Sequence, residues 1–190
     1  MAEEKQLASQ QDVENALGRS LTPEEAARAD AILSKASELF RSASGQKFTP
    51  GRSEVRVKVN GGRAYLRQSP ARVVHSVTTE DGVAVSFDLF KQWLRVPLRS
   101  HQFLIVDYEH GGEVPDLVRL TVADVARQVL SIDPNAVSGV SQNNQTAGPF
   151  SEQNTYSAWA QGGSTRLSPD DLAVARSFRV KIPTTWVQSS

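Results

Sequence analysis

The hydrophobic period of this chain switches from helical to alternating at Glu54 and becomes helical again after Val114-Pro115-Asp116. A helix repeats about every 3.6 residues and a strand every two, so the switch excludes a purely helical and a purely stranded fold. Before it stand two helices in tandem. The first opens near Ser9, covers roughly Gln11 to Leu17 and stops at Gly18. The second opens on Leu21-Thr22-Pro23-Glu24-Glu25 and runs to Ser44. Thr22 is placed to cap it, Pro23 suits its first turn, and Glu25 stands where a capping box needs a carboxylate. Ala29, Ile32, Leu33, Ala36, Leu39, Phe40 and Ala43 recur at helical spacing and predict one apolar stripe.

In the alternating region, Glu54-Val55-Arg56-Val57-Lys58-Val59 leads into Asn60-Gly61, a type I′ turn signal. A turn there pairs Val59 with Gly62, Val57 with Ala64 and Val55 with Leu66. The other face then carries Arg56, Lys58, Arg63 and Arg67 with Tyr65, a basic surface against Glu54 alone. Further strands are expected at Val73–Thr78, Val83–Val85, around Trp93–Val96 and at Phe103–Tyr108, which makes 53–110 a β-rich insertion. A third helix follows from Pro115 to about Ser131. Val118, Val122, Val125 and Val129, flanked by Leu117, Leu120, Ala126 and Leu130, give it a wide apolar arc, as a central, largely buried helix has.

Residues 135–165 carry one charge, Glu152, in a run of Ser, Gln, Asn, Thr and Gly. So long a loop is uncommon inside a compact domain. Phe150, Tyr156 and Trp159 favour a segment ordered by a partner over a plain linker. Ser168-Pro169-Asp170-Asp171 starts a short helix whose end, with Arg176, Arg179 and Lys181, is basic. In the extended tail that follows, Trp186 is either tucked into the core or an anchor for a partner.

Composition narrows the function. The chain has 21 basic and 21 acidic residues and no cysteine. Zero net charge disfavours a wholesale nucleic-acid or membrane binder, and the lack of thiols excludes thiolate chemistry and disulfides. The polar start Met1-Ala2-Glu3-Glu4-Lys5 does not read as a signal peptide, and no apolar run reaches the ~20 residues that span a bilayer. A soluble protein made inside the cell is expected. Charge is uneven along the chain: residues 1–30 hold seven acids against three bases, and residues 52–72 six bases against one acid. Subunits that meet unlike face to unlike face are one reading; ordinary solvated surface is the other.

No catalytic constellation is present. His75, His101 and His110 form no metal-ligand spacing. Asn60-Gly61-Gly62 and Gly111-Gly112 make no phosphate loop. No Gly-x-Ser-x-Gly elbow occurs, and the paired acids lie at helix starts or a turn, where dipole and turn chemistry explains them. No cofactor and no metal is expected.

The order of motifs is more telling. Asp12-Val13-Glu14-Asn15-Ala16-Leu17-Gly18-Arg19-Ser20-Leu21-Thr22-Pro23-Glu24-Glu25-Ala26 comes first, then Tyr108-Glu109-His110-Gly111-Gly112 with Val114-Pro115-Asp116, then the stretch from Leu167 to Arg179. In this order the chain resembles the head-to-tail connector (adaptor, or head-completion) proteins of tailed bacteriophages. The resemblance covers most of the chain. It implies an α+β protein acting as one connector domain over 1–190. Its core would be a small bundle of about four helices (9–45, 115–133 and 168–178), decorated by the β insertion 53–110. The loop 135–165 and the tail 179–190 would order on binding.

It also implies a structural virion protein without enzyme activity, assembled in the bacterial cytoplasm. Such proteins form a ring, usually dodecameric, beneath the portal protein. The ring extends the channel for packaged DNA and docks the next neck or tail protein, with no membrane involved. The candidate interaction residues are the basic hairpin, the three loop aromatics, the basic end of the last helix and Trp186. The alternatives are a nucleic-acid-binding module built on hairpin 54–67, and a tail terminator or other neck protein.

Overall fold

The structure, a computed structural model, describes residues 5–99, 102–132 and 164–181 in full, and 142–147 and 150–155 by their backbone. In chain order the described elements are α1 (Gln10–Leu17), α2 (Pro23–Ser44), β1 (Gly51–Asn60), β2 (Arg63–Tyr65), β3 (Ala71–Thr79), β4 (Asp88–Leu89), β5 (Trp93–Arg95), β6 (Phe103–His110), α3 (Asp116–Leu130), β7 (Gln142–Ala147), β8 (Phe150–Thr155) and α4 (Pro169–Ser177). The chain divides into two compact units. One is built from 1–43 and 116–175, the other from 44–115 and 176–190.

The first unit is helical and is stitched by caps. At α1 the Ser9 hydroxyl accepts from the Asp12 amide, and the Asp12 carboxylate accepts from the Ser9 amide at 2.8 Å. Gly18 closes the helix with φ 69°, a left-handed conformation that costs glycine little. At α2 the same reciprocal pattern links Thr22 and Glu25, at 2.8 and 3.2 Å. The segment before α1 lies along α2. The Leu7 amide donates to the Ser37 hydroxyl at 3.0 Å, and the Gln6 side chain donates to the Asp30 carbonyl at 3.1 Å. Ala29, Leu33, Ala36 and Phe40 are buried on α2, and Val118, Val122, Val125 and Ala126 on α3.

Two expectations for this unit change. Leu117 and Leu120 are more than half exposed, so the apolar arc of α3 is narrower than its sequence suggests. Its buried edge instead includes Ala123, whose small side chain lets a neighbouring element approach. Within 135–165, the backbones of Gln142–Ala147 and Phe150–Thr155 pair antiparallel, with Gln142 opposite Thr155 and Ala147 opposite Phe150.

The expectation of a small helical bundle with a decorating insert is overturned by the second unit. Its six strands form one antiparallel sheet in the order β3-β6-β1-β2-β5-β4, and this sheet nearly closes into a barrel. At one end of the seam Thr79 donates to the Val83 carbonyl at 2.8 Å, and Val85 donates to Val77 at 2.9 Å. At the other end the Ala71 amide donates to the Lys91 carbonyl at 3.2 Å. Inside lie Val57, Val59, Ala64, Leu66, Val77, Leu94, Val96, Leu104, Val106 and Tyr108. A sheet curled on its own apolar face buries that face without helices, so the strands have a core of their own.

The hairpin register is also corrected. Val59 pairs with Ala64 and Asn60 with Arg63, so the turn residues are Gly61 and Gly62, at φ 56° and 72°. A type I′ turn needs positive φ at both central positions, and two glycines supply it with less strain than Asn-Gly. The register moves by two residues, an even shift, so the apolar face stays inward and the basic face outward. The longer partner of β1 is β6, paired from Gly51↔His110 to Lys58↔Phe103.

Candidate interaction surface

The outward positions of β1, β2, β5 and β4 form one face. Alternation along the strands sends Val57, Val59, Ala64, Leu66 and Leu94 inward. It sends Arg56, Lys58, Arg63, Tyr65, Trp93 and Arg95 outward. All four basic residues singled out from the hairpin, Arg56, Lys58, Arg63 and Arg67, are therefore exposed on this unit. Arg56 is already engaged. It donates to Glu80 at 2.7 Å and lies 3.6 Å over the Phe103 ring. Arg52 is likewise held by Asp107. Lys58, Arg63, Arg67 and Arg95 have no carboxylate at ion-pair distance among the described residues.

Aromatic rings prop these cations. Phe90 and Trp93 stack at 4.1 Å and 7°, and Tyr65 lies 6.4 Å from Trp93. The Arg63 guanidinium sits 4.8 Å from the Trp93 ring centre, and that of Arg95 sits 5.3 Å from Phe90. Such contacts are worth about 0.5–1 kcal/mol each at exposed sites. They also fix two arginines that stand directly opposite each other on β2 and β5. Like charges in that register repel, and an anion between them would relieve the repulsion.

Trp93, Phe90 and Arg95 were not singled out from sequence. Their signal is the mirrored alternation of Asp88-Leu89-Phe90 and Trp93-Leu94-Arg95 about Lys91-Gln92, a tight hairpin with its leucines paired. Arg176, Arg179 and Lys181 are exposed at and after the end of α4. The ring of Phe178 between them packs edge-on against Phe48 at 5.5 Å. The Phe150 backbone lies in β8, while its side chain, Tyr156, Trp159 and Trp186 lie outside the described residues.

Part of the acidity of residues 1–30 is consumed internally. Arg19 grips both oxygens of Glu25 at 2.7 and 2.8 Å and, with the Thr22 amide, holds that carboxyl down at about 2. Asp12 is paired with Arg119. Burial pushes its carboxyl up, but the Ser9 and Arg119 hydrogen bonds outweigh burial and leave it below the ordinary range.

One nucleophile–base contact invites a catalytic reading. Ser53 Oγ lies 2.9 Å from His110 Nε2. The imidazole is buried, and no group among the described residues reaches its Nδ1. Burial, and then the charge of Lys47, push its pKa down and favour the neutral ring. A buried N–H without an acceptor is rarer than an unfilled acceptor. That favours the proton on Nε2, donated to Ser53, over the tautomer that a base would need. Among the described residues, no cluster of His, Asp or Glu is arranged to hold a metal ion, and no helix is long and apolar enough to cross a membrane.

The motif residues themselves serve as scaffold. Gly18, Arg19, Thr22 and Glu25 build the α1–α2 turn. Tyr108 is buried and its hydroxyl accepts from the Gln68 amide at 3.0 Å. Gly111 has φ 80°, and a β-carbon there would run into the Thr49 carbonyl. Ser168 and Asp171 cap α4 reciprocally at 3.0 and 3.2 Å. Neither a family model nor a curated protein matches the chain.

Proposed function

We propose that this chain is a head-to-tail connector subunit of a tailed bacteriophage. By this reading it is a structural, non-catalytic protein of the virion neck. Copies form a ring beneath the portal, dodecameric by the resemblance, which extends the DNA channel and docks the next neck protein. The observation that carries the reading is the order of motifs along the chain, together with what those residues do. Each quoted motif caps a helix, makes a turn or fills the barrel. A signature written in scaffold positions suits a protein whose work is to hold a shape and present surfaces.

The test is negative-stain microscopy of the full chain mixed with portal rings of the phage that carries it. A ring stacked on the portal with the same symmetry is expected. A chain that never joins the portal, or one found at the tail tube as a hexamer, would reject the reading in favour of a terminator or an unrelated role.

A specific observation supports a second reading, nucleic-acid binding by the barrel face. Four cations there have no carboxylate at ion-pair distance among the described residues. Yet Phe90 and Trp93 stack on each other and lie beneath guanidiniums, so their faces are not open to bases. Binding would fall on phosphates alone and would weaken steeply with salt. A duplex titration at two salt concentrations decides: no binding at low salt removes this reading.

A further inference from the structure

The chain is neutral only as a whole. Residues 1–43 and 116–175 hold fourteen acids and eight bases, a net charge of −6. Residues 44–115 and 176–190 hold seven acids and thirteen bases, a net charge of +6. The boundary between structural units is thus also a boundary between charges. We propose that the outer β2–β5 face of the barrel, with Lys58, Arg63, Arg67 and Arg95, docks onto the acidic helical unit of a second copy of this chain.

Charge complementarity selects that occupant. A polyanion such as DNA would account for the positive unit and leave the negative one without a counterpart. A second copy accounts for both at once, because each molecule carries one unit of each net charge. Such a contact joins two different surfaces, and repetition of a contact of that kind closes a ring or extends a filament. On the barrel side the cations are held ready: Arg63 and Arg95 are propped on Trp93 and Phe90 and oppose each other across the strands. On the helical side Glu24, Asp30 and Asp170 are exposed and have no cationic partner among the described residues. Tyr65 and Trp93, both half-buried, add apolar area at the centre of the cationic face, where aromatic anchors contribute most. The inference rests on the ring reading above and assigns its subunit contact.

Charge exchange tests it. The barrel variant carries Arg63→Glu and Arg95→Glu; the helical variant carries Glu24→Lys and Asp30→Lys. Circular dichroism checks that each is folded, and native mass spectrometry reads the assembly at low salt. Each variant alone is expected to self-associate at least about a hundredfold more weakly than the parent, since like charges face each other. An equal mixture is expected to assemble again, because reversed barrels meet reversed helices and parental barrels meet parental helices.

Full assembly of either variant alone, or a mixture of folded variants that stays monomeric, overturns the contact. So does a parent chain that is monomeric at low salt. If a variant does not fold, the milder Arg63→Gln with Arg95→Gln replaces it, and unchanged association then overturns the proposal. Duplex DNA binding that the barrel variant abolishes, with self-association intact, assigns the face to nucleic acid instead. A ring that closes through other surfaces leaves the connector reading standing. Absence from the virion neck removes that reading without altering the measured contact.

Discussion

The helical unit and the barrel are held together over very different spans of sequence. In the helical unit the same device recurs three times: Ser9 with Asp12, Thr22 with Glu25 and Ser168 with Asp171, always three residues apart. In the barrel the decisive partners are remote. Gly51 pairs with His110, Arg52 with Asp107, and Gln68 with Tyr108. Local contacts cost little loop-closure entropy, whereas remote ones must close long loops before they gain anything. The difference teaches where robustness lies. A cap can be lost and the rest of its helix kept. A barrel residue supports strands from distant parts of the chain at once.

The largest effect should come from the barrel interior. Leu104 is fully buried, and Leu104→Ala is expected to cost about 3 kcal/mol, by lost burial and the cavity left behind. Urea unfolding followed by tryptophan fluorescence measures it; a loss below about 1 kcal/mol would mean that the interior is not tightly packed. Next comes Asp12→Ala, which removes half of the α1 capping box and one of the two carboxylates that Arg119 holds, and should cost about 2 kcal/mol. A loss equal to that of Ser9→Ala would show that the ion pair adds nothing to the cap. Tyr108→Phe should cost about 1 kcal/mol, since the Gln68 amide loses its acceptor.

The smallest effect is a pH dependence specific to the barrel. The His110 pKa is lowered from the ordinary 6.5 by burial. The unfolded chain then binds a proton that the folded one excludes, so this contribution to stability is complete above about 6.5 and is lost as pH falls below it. Urea midpoints measured down to mildly acidic pH should decline, and His110→Gln should flatten that decline. The Glu25 carboxyl, at about 2, releases its contribution only in stronger acid, as pH falls from about 4.5 towards 2. Coincident acid responses in the parent and His110→Gln would blur the distinction between the two units.

The same contrast explains what the sequence disclosed. Caps are spelled by residues three apart, so Ser9, Thr22 and Ser168 announce their helices in the letters themselves. Period two announces strands, and the basic outer face of β1 and β2 follows from it whichever even register holds. Closure does not follow. Nothing near Glu54 says that β1 will pair along its length with β6, and without that pairing the strands look like an ornament on a bundle. Asn60-Gly61 and Gly61-Gly62 are turn signals side by side, and positive φ at both central positions decides for the second. Half of the candidate face was hidden for the same reason. Trp93 and Arg95 join Arg63 only once β5 lies beside β2. Arg19 and Arg119, which neutralise Glu25 and Asp12, find their partners only in the folded chain.

By the proposed function, identical copies of this chain close around a passage. Native mass spectrometry of the unmodified full chain on isolated portal rings tests it most directly. One closed ring of copies per portal, of a single mass and dispersed by high salt, is expected. Isolated copies scattered over the portal, or no binding at any salt concentration, would contradict it.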